Sequence, residues 1–176
     1  MRKTRGLMLV PVVLLAAVAA GAVWMETGVP GQDRRIPAEE LLEHTRERAG
    51  VPEDWAYAED LTDTAYAVLF YDPENPTDCT FRFCMAREGE EGYFTRGGGN
   101  LSEVRDGITV YTLRDTPDRA VVSANTPQAA RIEAPDGTDV EVDPDAPFVL
   151  LLPQDGGELT ITDDQGEEIS YNSRDW

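Results

Sequence analysis

Two cysteines, one histidine and 34 acidic side chains are the residues of this chain that could do chemistry. Cys79 and Cys84 are separated by Thr80-Phe81-Arg82-Phe83. In an oxidising compartment such a pair forms a disulfide by default. Along one continuous strand, however, positions five apart point to opposite faces and lie too far apart to bridge. A Cys79–Cys84 disulfide therefore requires a turn within 80–83, whereas Phe81 and Phe83 alternating with Arg82 read as strand. Both readings stay open, with the disulfide favoured over buried free thiols. A C-x4-C pair in a chain whose single histidine is His44 is poor zinc-site material, because a structural site takes four such ligands.

The other candidates are weaker. A Ser-His-Asp triad would have to recruit His44 from a helix outside the β region, and no Gly-x-Ser-x-Gly elbow supplies a nucleophile. A glycosidase needs two carboxylates held in one groove, and nothing selects a pair from so many. Hard cations prefer oxygen ligands near turns. Asp136, Asp139, Asp143 and Asp145, or Asp163 and Asp164 with Glu167, offer such a cluster without matching the spaced Asp-x-Asp-x-Asp-Gly calcium loop. Gly97-Gly98-Gly99-Asn100 lacks the Gly-Lys-Ser/Thr that follows in a phosphate loop and reads as a mobile loop. Tyr66, Phe70, Tyr93, Tyr111 and Tyr171 alternate within strands and suit a core better than a sugar- or peptide-binding face. Trp55 and Trp176 flank the β region and are expected to pack together and close it. No catalytic residue, cofactor or metal site is assigned.

Charge narrows the partners. The chain holds 15 Lys and Arg against 34 Asp and Glu, a net of −19. Without Arg2, Lys3 and Arg5 the balance is 12 against 34. Such acidity argues against nucleic acid, whose phosphates call for cationic side chains, and against an anionic membrane surface. It suits an exported body kept soluble by its charge.

Those three cations stand before Gly6–Met25, a run without one polar side chain. Twenty residues at about 1.5 Å each make a helix of about 30 Å, long enough to span a hydrocarbon core. The cationic flank stays cytoplasmic and sends residues 26–176 across. A cleaved secretory signal is the alternative, with Ala20-Gly21-Ala22 as the small-x-small site. Cleavage there would expose Val23-Trp24-Met25, whereas Trp24 suits a membrane interface. A retained anchor is favoured. No cysteine lies near residue 20, so lipoprotein attachment is excluded, and residues 1–5 form only a cytoplasmic stub.

Local patterning places the elements beyond the apolar run. Residues 26–36 read as a flexible tether rich in Gly, Pro and polar residues. Residues 37–60 hold a short helix, Pro37 to Ala49, and a connector. Pro37 opens the helix, Glu39 and Glu40 suit its positive end, and Gly50 with Pro52 ends it. From Leu61 the pattern changes to period 2. Strands are predicted at 65–71, 80–86, 92–95, 108–113, 120–124, 148–152 and in two hairpins. The first hairpin carries Ile132 into Val140 and Val142 through Pro135-Asp136-Gly137, with Ala130, Ile132, Val140 and Val142 facing inward. The second joins Leu159-Thr160-Ile161 to Ile169-Ser170-Tyr171 through Asp163-Asp164-Gln165-Gly166. Short strands at this spacing predict a mainly β fold for residues 61–176, an immunoglobulin-like β-sandwich or partial barrel.

The stretch from Arg131 to Thr138, through Phe148-Val149-Leu150-Leu151-Leu152-Pro153, to Asp163-Asp164-Gln165-Gly166 resembles exported, membrane-anchored β-sandwich proteins of unknown function from high-GC Gram-positive bacteria. The resemblance implies an immunoglobulin-like fold and an extracytoplasmic address, and it carries no activity. The expectation is a single-pass, membrane-tethered extracytoplasmic interaction or accessory module without catalysis, meeting a protein partner at the cell envelope. The alternatives are a secreted binding module and a calcium-dependent envelope binder or hydrolase.

Overall fold

Three β-sheets and one helix stack in four layers. The structure, a computed structural model, describes residues 35–99, 102–154 and 156–176. The apolar run Gly6–Met25 and most of the tether lie outside the described residues. Residues 35–176 form one unit and are mainly β.

A 3-10 turn (Ala38–Glu40) leads into α1 (Leu41–Ala49), which Gly50 ends in the left-handed region at φ 65°, its N–H donating to the carbonyls of Arg46 and Glu47. This is the glycine stop read from the sequence. The first sheet has the antiparallel order β1 (Ala56–Leu61), β2 (Ala65–Asp72), β3 (Asn75–Ala86), β4 (Tyr93–Gly99). A short helix, α2 (Ser102–Asp106), joins it to the second sheet. That sheet combines β5 (Ile108–Thr112), β6 (Asp118–Ser123), β9 (Phe148–Pro153) and β11 (Asn172–Asp175) in the order β11-β5-β6-β9, with β11 parallel to β5. The third sheet is β10 (Thr160–Asp163), β7 (Ala129–Glu133) and β8 (Asp139–Glu141), in that order.

The period-2 alternation of each strand decides which layer its side chains enter. On β2, Ala65, Ala67 and Leu69 join the core shared with the second sheet, while Tyr66, Val68 and Phe70 pack under α1. Every residue from Ala65 to Phe70 is buried, so this strand is covered on both faces. Strand β9 behaves likewise: Val149 and Leu151 face the first sheet, Phe148 and Leu152 the third. Its continuous apolar run has this double burial as its physical cause.

Several expectations are corrected. The span read as connector contains β1, so the sheets begin at Ala56 rather than after Leu61. Gly97-Gly98-Gly99 is the end of β4, paired with Phe83, Arg82 and Phe81, rather than a loop. Only part of the second hairpin forms: Thr162 bridges Glu168 and the Ile169 N–H donates to Ile161, but Ser170 and Tyr171 belong to no strand. The first hairpin forms as expected, and its register pairs Arg131 with Glu141, Ile132 with Val140 and Glu133 with Asp139. Ala129 rather than Ala130 is the fully buried alanine, next to the register shift at Thr162/Asp163.

Candidate functional site

Both cysteines lie on β3, which runs through residues 80–83 without the turn that a disulfide requires. They are free thiols on opposite faces, Cys79 between the first two sheets and Cys84 beneath α1. Burial pushes the Cys79 thiol up to about 11 and the Cys84 thiol up to about 12, against an ordinary 9.0. Neither has the electropositive, exposed setting that makes a thiolate nucleophile.

The aromatic residues separate into cores and form no common binding face. Tyr66 is buried under α1 and donates to Glu59 Oε2 at 2.6 Å; burial first, then this bond to an acid, holds its phenol well above the usual range. Phe70 lies beside it, with the Arg46 guanidinium 4.8 Å from its ring centre. Tyr93 donates to the Thr62 carbonyl at 2.6 Å. Tyr111 stacks on Phe81 at 5.4 Å, and Tyr171 accepts the Leu159 N–H at 3.1 Å. Trp55 and Trp176 do not meet: Trp55 packs with the α1 layer and Trp176 with the core of the first two sheets.

Trp176 shows why β4 ends in glycines. Its indole meets Phe83 edge-on at 5.1 Å and Tyr111 at 5.4 Å, contacts worth about 0.5–1.5 kcal/mol each beyond burial. A Cβ on Gly97 would stand 2.9 Å from that indole, and one on Gly98 would collide with the Phe81 carbonyl. Glycine is needed here for close approach. The triple glycine was the available sequence signal, but nothing local pairs it with residue 176.

Of the acidic candidates, Asp136, Asp143 and Asp163 serve turns and Asp139 an ion pair. Asp136, Asp143 and Asp163 each accept backbone N–H groups within their own turns. Asp139 takes both ends of the Arg131 guanidinium fork. Among the described residues no three His, Cys, Asp or Glu side chains converge to hold a metal. Two carboxylates that the sequence did not single out join the sheets. Asp60 on β1 accepts the Leu151 N–H of β9 at 2.8 Å, and the buried Asp118 of β6 accepts the hydroxyls of Thr62 and Thr64. His44 Nε2 lies 3.2 Å from the Thr95 hydroxyl, on the α1 side of the first sheet.

An open cleft of about 550 Å³ lies over the third-sheet face of β5 and β6. Val110 and Thr112 of β5 and Arg119 of β6 form its floor; residues 156–159 form one wall and residues 168–173 the other. The buried Arg119 donates through Nη1 to the Gly157 carbonyl at 2.7 Å, fixing the first wall. Hydroxyls of Ser170 and Ser173, the carboxylates of Glu158 and Glu168 and the ring of Tyr171 line the space. These described lining residues include neither His nor Cys. Its volume is in the ligand-pocket range, but its polar walls suit hydrogen bonding to an extended chain better than enclosure of an apolar molecule.

Compared with protein-family models, curated proteins and solved structures, the chain finds no match.

Proposed function

We propose that this protein is a membrane-tethered extracytoplasmic interaction module without chemistry of its own. The observation that carries the reading is the order of its parts: three cations, an apolar run over 6–25, then a folded acidic body starting near Arg35. A positive flank before a spanning segment sends the downstream chain across the membrane. The tether ends where Ile36 pairs with Tyr93 at the edge of the first sheet, so about ten residues separate anchor and body. The first two sheets enclose a common core, which supports the immunoglobulin-like sandwich in this reading, with the third sheet as an added layer. Cys79, Cys84 and the aromatic candidates are held in cores, Asp136, Asp143 and Asp163 in turns and Asp139 in an ion pair, and the cleft over β5 and β6 offers hydrogen-bonding groups for recognition.

Fractionation of cells expressing the chain with a C-terminal reporter tests this. Membrane-bound protein of full mass with the reporter outside supports the anchor. Protein found only in the medium, lacking residues 1–22, would replace it by the secreted module. A reporter active only in the cytosol would overturn both.

A further inference from the structure

We propose that the β5 edge is a strand-accepting groove, filled here by the chain's own residues 172–176, that takes the same segment from a second copy. Strand β11 has no apolar side chain, and all four of its residues are exposed. It pairs on one side only, with β5, in the register Asn172–Thr109 to Asp175–Thr112. What holds it is backbone pairing, one exposed ion pair between Arg174 and Glu103, and the Trp176 indole set on Gly97 between Phe83 and Tyr111. Trp176 completes the rung, its N–H donating to the Thr112 carbonyl and its carbonyl accepting from the Arg114 N–H. A segment with so little buried surface opens at a small fraction of the cost of global unfolding. The groove it leaves is specific: a strand edge ending in a slot shaped for one indole.

The connection to the rest of the chain is short. Ile169 is the last residue bonded to β10, and only Ser170 and Tyr171 lie between it and β11. Three steps of about 3.4 Å reach about 10 Å, so a donated strand holds the two bodies close together. Every contact made in cis recurs in trans, and a closed two-fold pair leaves no groove empty. The groove is formed by the folded body alone; only the supply of copies at high local concentration rests on the tethered reading.

The test uses two single variants of the full-length chain in detergent, Thr112→Cys and Asp175→Cys, which face each other across the β5–β11 register. Mixed, incubated and oxidised, they should give a mixed disulfide dimer above the background of either variant alone. The double variant should close within one chain when dilute. Trp176→Ala placed in both variants should speed dimer formation about tenfold and leave its final yield unchanged, since the indole contacts are worth about one factor of ten and are lost equally in cis and in trans. Salt raised from about 50 to about 500 mM should increase the yield by screening the acidic bodies. A mixture that stays monomeric while the double variant closes internally would overturn the exchange. A double variant that fails to close, or a rate of dimer formation indifferent to Trp176→Ala, would overturn the groove itself. None of these readouts depends on which side of the membrane the body occupies.

Discussion

The two inter-sheet cores of this protein are built on different principles. Between the second and third sheets the core is mostly aliphatic, with Ile108, Val110, Val121, Ile132 and Ile161. Its third sheet pairs β7 with its hairpin neighbour β8 and with the sequence-distant β10. Between the first and second sheets small and aliphatic residues surround an aromatic cluster of Phe81, Phe83, Tyr111 and Trp176, which is completed by a residue more than 60 positions from its partners in sequence. Hairpin neighbours meet because turn chemistry delivers them. The aromatic core needs glycines on one strand to admit an indole from another, a match no local rule requires. The aliphatic core is thus the more legible and the aromatic core the more dependent on the completed fold.

Substitution in both cores tests that contrast. Phe81→Ala should cost about 3–5 kcal/mol and Ile132→Ala about 2–5 kcal/mol, as expected for large-to-small changes at fully buried sites. Urea titration should show one transition for each variant, because the second sheet belongs to both cores; two transitions for Ile132→Ala would make the third sheet a separate unit. Gly97→Val should cost about 1–3 kcal/mol by overpacking against the Trp176 indole. The same change made with Trp176→Ala should cost less, and equal costs would remove the indole as the reason for glycine.

Alkaline pH probes the thiols. Both native pKa values are raised, so the stability due to the protonated thiols is full below about 9 and is lost as pH rises through the native values near 11 and 12. Near pH 10 the unfolded chain ionises first, lowering stability by about 1 kcal/mol per thiol. The double variant Cys79→Ala with Cys84→Ala should flatten that slope in denaturant titrations at pH 8 and pH 10. Alkylation should label neither thiol in the folded chain and both after unfolding without reductant. Failure to label the unfolded chain would mean a disulfide, and a broken β3. The smallest effect belongs to Asp139→Asn, which loosens the exposed Arg131 pair on the hairpin surface. Its urea midpoint should stay within experimental error, since exposed ion pairs add little.

Legibility followed the side-chain pattern of each element. Strands β2 and β9 were visible as apolar runs because both faces are covered, and the β7–β8 hairpin because Asp136-Gly137 sits between alternating residues. Strand β1 was missed because Tyr57 and Leu61, which should have marked an inward face, stand 43% and 47% exposed at a sheet edge. Strand β11, Asn-Ser-Arg-Asp, offers no hydrophobic signal at all. The five-residue α2 is too short to show a helical period. Within the candidate site, Ser170 and Tyr171 were read as strand but form cleft wall, because the hairpin stops pairing at Ile169.

Sequence alone determined the mainly β class, the helix with its glycine stop, the acidic turns and the opposition of Cys79 to Cys84 along any continuous strand. Those features arise from backbone stereochemistry and the two-residue period, which act over a few neighbours. Only the tertiary structure decided that β3 continues through residues 80–83, that three glycines form a strand, and that Trp176 rests on one of them. Such choices depend on which surfaces meet after distant segments are brought together, and the free energy of that meeting is not encoded in any single stretch.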